Sequence, residues 1–329
     1  MDPAQIYIHF PFQEGPAGGG NNFLKGLAEQ FAQSGNLASS AALANFILFN
    51  SHHDIKTLIG LKSKHPTKYF LHRVDGPMST YTGSHDRRDR IVSMANHTLA
   101  DGTIFQSNWS RQENEKLGLI TDKNNTVIYN AADPAIFFPT EQQIELNNRK
   151  IKLVTTGVSS NPNKGLDALR FLDQTLDYNR FTFSFIGTPP SSFKNISIIP
   201  PVTNKNLGKL LREQDIFIFP SRYEACSNSL IDALSCGLPS IVFGGTSNIE
   251  LVRDKRLHFT VPEEIPNIIQ NVIPEYANFR REIQILTRKR VAQEYVTFAD
   301  SLKGNVNPKK LIFGKLQLLR LKLFMNRIV

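Results

Sequence analysis

The sequence predicts an α/β protein made of two Rossmann-like, doubly wound parallel-sheet domains facing across a cleft, and three observations carry that prediction. Short β-branched or aromatic runs alternate with longer helical patterns along most of the 329 residues, which is the grammar of βαβ units. A polar stretch from Pro134 to Arg149, with Pro139 and a run of Glu, Gln and Asn, splits that alternation in two and reads as a domain linker. A hydrophobic fraction of 40% beside 20% charged residues is that of a globular chain long enough for two cores.

Taken in order, the first half predicts strands at 6–10, 45–49, 68–74, 102–106 and 126–130. Between the first two lies a helix from Phe23, whose apolar positions 23, 24, 27, 28 and 31 recur at helical spacing. The second half predicts strands at 152–157, 181–187, 196–200, 215–220 and 240–244, with helices from Leu166 and from Ser229. The expected division is a first domain over 1–135, a linker over 136–149 and a second domain over 150–290. A helix at 291–305 would cross back to the first domain, and a basic tail would follow over 306–329. Open parallel sheets bind ligands at the carboxyl ends of their strands, so the loops there are where chemistry is sought.

Charge points away from nucleic acid. Seven of the nine net positive charges lie after Asp300, at Lys303, Lys309, Lys310, Lys315, Arg320, Lys322 and Arg327, where no acid accompanies them. A basic groove over the fold is therefore not required, and no nucleic-acid partner is expected. No basic and apolar leader precedes Ile6, and no uncharged run is long enough to span a bilayer. Cys226 and Cys236, ten apart, suit neither a disulfide scaffold nor a zinc site, so a reducing, cytoplasmic setting is expected.

The most informative stretch runs from Phe219 to Val252. A buried strand ends at Pro220, a loop carries Glu224, and Ser227, Asn228 and Ser229 are all good N-cap residues for a helix that continues through Leu230. The start of a helix offers backbone N–H groups and a partial positive charge, which seats a diphosphate. Asp232 lies one turn further on the face of Asn228, where a carboxylate can hold a ribose diol. Two acids eight apart are ordinarily a solvated pair. Here, however, the segment resembles the donor-binding signature of the retaining family-4 glycosyltransferases (glycosyl transferases group 1, GT-B fold). In that family two glutamates eight positions apart precede a Gly-Leu-Pro turn. This chain has Asp232 in place of the second, one methylene shorter.

The resemblance extends to other segments in the same order. GVSSNPNKGLDAL, from Gly157, is similar to the loop after the first strand of the family's donor domain and makes Lys164 a diphosphate cation. Val158 stands where the family has a second cation, a gap that Arg222 could fill. GPAGGGNNFLKGL resembles the family's glycine-rich first loop, with Gly18, Gly19 and Gly20 placed to bring backbone N–H groups to the donor. Asn21 and Asn22 occupy the Lys and Ser/Thr places of a P-loop, so an NTPase is not indicated, and no full G-x-G-x-x-G is present. The H-R-x-D-G-P of residues 72–77 occurs in a subgroup of family-4-like transferases, which makes His72 and Asp75 candidates for contacting the transferred sugar or the acceptor hydroxyl.

The resemblance implies metal-independent hexosyl transfer from a nucleoside-diphosphate sugar, with retention of configuration, onto a glycan or lipid-linked acceptor of cell-envelope polysaccharide type. No cofactor is expected, and the sequence contains no D-x-D. Glu224, Lys164, His72 and Asp75 would act at the reacting centre. From residue 309 the tail can form a basic amphipathic helix with Ile312, Leu316, Leu319 and Leu323 in one stripe, a fit to an anionic membrane surface. The alternative from another class is a non-catalytic, membrane-associated scaffold that binds nucleotide sugar without turning it over.

Overall fold

The computed structural model describes residues 3–14, 19–83, 86–140, 146, 149–158, 161–189 and 191–311. The chain divides into two compact units, one of residues 1–130 with 288–329 and one of residues 131–287.

In the first unit the elements are β1 (Ile6–His9), α1 (Gly19–Gln33), β2 (Phe46–Asn50), α2 (Ile55–Lys64), β3 (Tyr69–Val74), α3 (Met78–Thr82), α4 (Arg87–Leu99), β4 (Gly102–Phe105), α5 (Asn108–Lys116) and β5 (Asn125–Val127). The strands form one parallel sheet in the order β1-β2-β3-β4-β5. An isolated bridge between Ile6 and Leu37 lies on the far side of β1 from β2, and among the described residues the strands of this sheet succeed one another in one direction only, unlike the doubly wound order the sequence predicts. Ile47, Phe49 and Phe70 pack against Leu58 and Ile59 of α2 and Ile91 and Ala95 of α4. Parallel strands with both faces covered bury polar residues as fully as apolar ones, and β2 is buried at every position from Phe46 to Asn50.

The second unit holds β6 (Ile151–Val158), α6 (Leu166–Thr175), β7 (Phe181–Thr188), β8 (Ser197–Ile199), α7 (Asn204–Arg212), β9 (Ile216–Phe219), α8 (Asn228–Ser235), β10 (Ser240–Phe243), α9 (Asn248–Leu251), β11 (His258–Phe259), α10 (Ile265–Val272) and α11 (Tyr276–Glu282). Its sheet order is β11-β10-β9-β6-β7-β8. Successive strands thus run outward from β6 in one direction, then return to β9 and run outward in the other. The crevice at the carboxyl ends of β6 and β9 is the topological switch point, where such sheets take their ligands.

The final helix, α12 (Arg288–Leu302), returns to the first unit and packs on α1, where Tyr295 meets the rings of Phe23 and Phe31. The chain then stays on that unit: Val306 O accepts from Tyr69 Oη at 3.0 Å, and Lys309 N–H donates to the buried Asp101 at 2.6 Å. Residues 131–140, part of which the sequence assigns to a linker, belong to the second unit. There the Arg212 guanidinium donates to Ile136 O at 2.6 Å, and Gly208 leaves room for the Ile136 backbone. Among the described residues no helix is long and apolar enough to cross a membrane.

Candidate functional site

The loops leaving β6 and β9 carry the predicted donor-side residues, and the fold brings two of them into contact. After β6 the chain turns through Pro162–Lys164 and reaches Gly165 with φ +84. A Cβ there would lie 2.3 Å from Pro220 Cβ and 2.5 Å from Pro220 O, so only glycine allows this loop to lie on the end of β9. The tie is completed by Arg222 N–H, which donates to Asn163 O at 3.0 Å. Lys164 Nζ thereby meets Glu224 Oε1, and the same oxygen accepts from Ser221 Oγ at 2.5 Å. The Lys164 side chain is 33% exposed and that of Glu224 14%, so the pair opens onto solvent at one end.

Ser227 caps α8, its Oγ accepting from Leu230 N–H at 3.4 Å and lying 3.1 Å from Ser229 Oγ. The helix therefore starts at Asn228, within the segment the sequence named. Its far end stops as the Gly-Leu-Pro turn requires, with Gly237 at φ +77 and Leu238 N–H returning to Ala233 O at 3.1 Å. The loop after β10 closes the third side. Ser247 N–H donates to Glu224 O at 3.3 Å, and the fully buried Asn248 donates to Ser221 O at 2.8 Å. Ser221 and Asn248 were not singled out from sequence; their signal is only that each follows a strand end by a few polar residues.

The remaining donor-side residues are placed as follows. Arg222 donates to Asp167 on α6. Leu230 is fully buried and its N–H donates to the Ser227 cap. Asp232 is half-buried on the second turn of α8. Gly157 lies beside Gly187, whose φ of +130 and Cβ position 1.9 Å from Gly157 O demand glycine. Cys226 and Cys236 are buried and neither is joined in a disulfide, and burial pushes the Cys236 thiol up to about 12.

The glycine-rich loop is only partly in view. Gly19 and Gly20 form the first turn of α1, four residues earlier than the helical spacing predicted, while Gly18 lies outside the described residues.

At the H-R-x-D-G-P segment the structure corrects the sequence reading. His72 is 0% exposed, stacked on Phe49 with ring centroids 4.2 Å apart. Its Nε2 faces Ser51 O at 3.0 Å and must carry the proton, so Nδ1 accepts from Asn96 Nδ2 at 3.0 Å. Burial pushes its pKa down to about 3, and the ring is a neutral interior group with both nitrogens used rather than a sugar contact. Arg73 is equally buried and gathers the strand ends, donating to Asn50 Oδ1 at 2.6 Å, Asn130 Oδ1 at 2.8 Å and Asp75 Oδ1 at 3.4 Å. Asp75, its side chain 42% exposed, also accepts from Gln106 and is the polar group of this motif that reaches the surface.

Comparison with known proteins places this arrangement. The family model described as Glycosyl transferases group 1 matches residues 150–276, which takes in Lys164, Glu224 and the start of α8. Sucrose-phosphate synthase from Thermosynechococcus elongatus is similar with a TM-score of 0.64 at 12% identity, covering 99% of both chains. HepE of Anabaena, solved in complex with UDP-glucose, gives 0.63 at 14% identity over 92% of this chain and 99% of its own. WaaG, a glycosyltransferase involved in lipopolysaccharide biosynthesis, gives 0.64 at 12% identity over 91% and 99%. The fold class is that of the GT-B glycosyltransferases. No curated protein matches the sequence.

Proposed function

We propose that the chain is a metal-independent, retaining glycosyltransferase that moves a hexose from a nucleoside-diphosphate sugar to a glycan or lipid-linked acceptor. The observation that carries this reading is the meeting of Lys164 and Glu224 at the switch point of the second sheet, beside the start of α8. The match of residues 150–276 to a glycosyltransferase family supports it. So does the likeness in fold to HepE, which binds UDP-glucose.

In this reading the diphosphate lies at the start of α8 with Lys164 as its cation, and Glu224 holds hydroxyls of the transferred sugar. Asp232 holds the ribose, with Ser227, Asn228, Ser229, Gly157, Gly19 and Gly20 lining the donor. The bond from C1 to the leaving phosphate oxygen breaks with its electron pair going to that oxygen. The acceptor oxygen bonds C1 from the same face and passes its proton to the leaving group. Negative charge gathering on the phosphate meets a fixed cation and the helix dipole, which favours the transition state over the ground state. Asp75 stands for the acceptor side, and the basic segment 309–329 for attachment to an anionic membrane at the cytoplasmic face.

The deciding experiment is a ligand-observed NMR screen of UDP-, GDP- and CMP-sugars, followed by turnover of whichever donor binds, with and without EDTA, and NMR of the product's anomeric proton. Turnover abolished by Glu224→Ala in a folded protein supports the enzyme. A wild type that binds donor and never releases nucleotide supports the scaffold instead. Sedimentation with phosphatidylcholine vesicles, with and without phosphatidylglycerol, tests the tail against a chain ending at Pro308.

A further inference from the structure

β1 and β2 are parallel neighbours ending at His9 and Asn50, so the residues that follow leave the same edge of the first unit's sheet together. Those residues are unusually aromatic for a pair of loops. Phe10 meets His53 edge-on with centroids 5.0 Å apart and meets Phe12 at 5.4 Å, while His53 stacks on His52 at 4.7 Å. Phe12 is 41% exposed, an apolar ring held in water. It is held and not merely displayed, because Gln13 N–H donates to the buried Asn21 Oδ1 at 2.9 Å on α1.

The second loop is built at a cost. Ser51 at φ +50 and Asp54 at φ +47 flank the two histidines in the left-handed region, where a side-chain-bearing residue loses about 1–2 kcal/mol. Both are pinned. Ser51 exchanges hydrogen bonds with Arg73 O at 2.8 Å and His72 Nε2 at 3.0 Å, and Asp54 pairs with His9 Nε2 at 2.9 Å and Thr57 Oγ1 at 2.8 Å. A turn that only had to lead from β2 into α2 would be met more cheaply by glycine or asparagine. What the bent backbone achieves is the placing of His53 against Phe10, with His52 stacked on His53.

We propose that Phe12, Phe10, His53 and His52 form a platform for a sugar ring, the subsite of the acceptor glycan in the reaction proposed above. A pyranose has an apolar face of C–H groups and a rim of hydroxyls, and the platform has a matching division of aromatic rings and imidazole nitrogens. Burial lowers the pKa of both histidines. For His52, His53 and Arg88 add to this, while Asp75 and Asp86 oppose it; for His53, Asp75 opposes it. A neutral imidazole offers one donor and one acceptor, as a hydroxyl does. The edge-on packing of Phe10 with both Phe12 and His53 leaves no parallel slot of the kind a nucleobase would fill.

This inference rests on the glycosyltransferase reading for the role of the ligand, and the test separates the two. Saturation-transfer NMR on the full chain, with saturating UDP, is run with the methyl glycosides of α-glucose, β-galactose and α-mannose. At least one glycoside is expected to bind wild type, to weaken about fivefold or more in Phe12→Leu, and to recover in Phe12→Trp, with UDP titrating all three proteins alike. Phe12 is exposed, so folding does not depend on it. Absence of binding for all three glycosides, binding indifferent to Phe12→Leu, or displacement by free uridine overturns the platform. Failure of UDP and GDP alike to bind overturns the donor assignment alone, since glycoside binding lost in Phe12→Leu would still establish the platform.

Discussion

Lys164 and Glu224, sixty residues apart in the chain, join their charges at the end of the second unit's sheet, with Ser221 Oγ on the same carboxylate oxygen. A partly exposed ion pair contributes little to stability, roughly 0–1 kcal/mol, so its placement there calls for another reason. If Lys164 is the cation of the diphosphate, Lys164→Ala should lower kcat by about 10²–10³ while unfolding free energy changes by less than about 1 kcal/mol. Nucleotide release and urea denaturation measure the two. A large loss of stability with kcat intact would make the pair structural.

Gly165 tests how that lysine is aimed. Gly165→Ala puts a Cβ into Pro220 at a backbone φ of +84, so either the loop lifts from β9 or the backbone is strained by about 1–3 kcal/mol. Lifting the loop displaces the neighbouring Lys164, and an ångström of displacement costs up to about 10²-fold in rate. The expected result is a lower kcat, weaker UDP binding by calorimetry and a lower melting temperature. Loss of stability with UDP affinity unchanged would show that the loop does not aim Lys164.

The strand grammar was legible because short apolar runs between helical patterns have few other solutions: Ile216–Phe219, Ser240–Phe243 and Ile151–Val158 lie within a residue or two of where they were expected. The helix start at Ser227 was legible from three capping residues in a row. His72 was misread for a physical reason. Alternation along a strand says which face a side chain takes, but in a parallel sheet covered on both sides either face is interior, and β3 is buried from Phe70 through Val74. The contact of Lys164 with Glu224 and the grouping of Phe10 with His53 depend on which loops the sheet order brings together. No local pattern contains that information.

His72 predicts an acid sensitivity with a definite sign. Its pKa falls from an ordinary 6.5 to about 3 on folding, so the unfolded chain binds the proton more readily. The contribution is complete above pH 6.5 and is lost as pH falls toward 3, at about 1.4 kcal/mol per unit. His72→Gln should be less stable than wild type at neutral pH, and the gap should close as the pH is lowered from 6.5 to 4.5. Urea denaturation at several pH values measures it, and a gap constant with pH would show that the ring titrates equally in both states.

Asp101 links the interior of the first unit to the C-terminal segment. Its Oδ2 accepts from Lys62 Nζ at 2.8 Å and Phe70 N–H at 2.7 Å, and its Oδ1 from Lys309 N–H at 2.6 Å, with Lys62 and Asp101 both fully buried. An asparagine has one oxygen for these three donors, and its amide must face at least one of them. Asp101→Asn therefore leaves an ammonium without its counter-charge and should cost about 3–5 kcal/mol. Because one oxygen cannot serve both sides of the carboxylate, Lys309 should also lose its anchor, and amide exchange at Lys309 should rise. Adding Lys62→Met removes the orphaned charge and should restore a substantial part of the stability by denaturant titration. It should not restore the slow exchange at Lys309, since that depends on a second carboxylate oxygen. Recovery of both together would mean that the segment follows the general stability of the unit and is not fixed by Asp101.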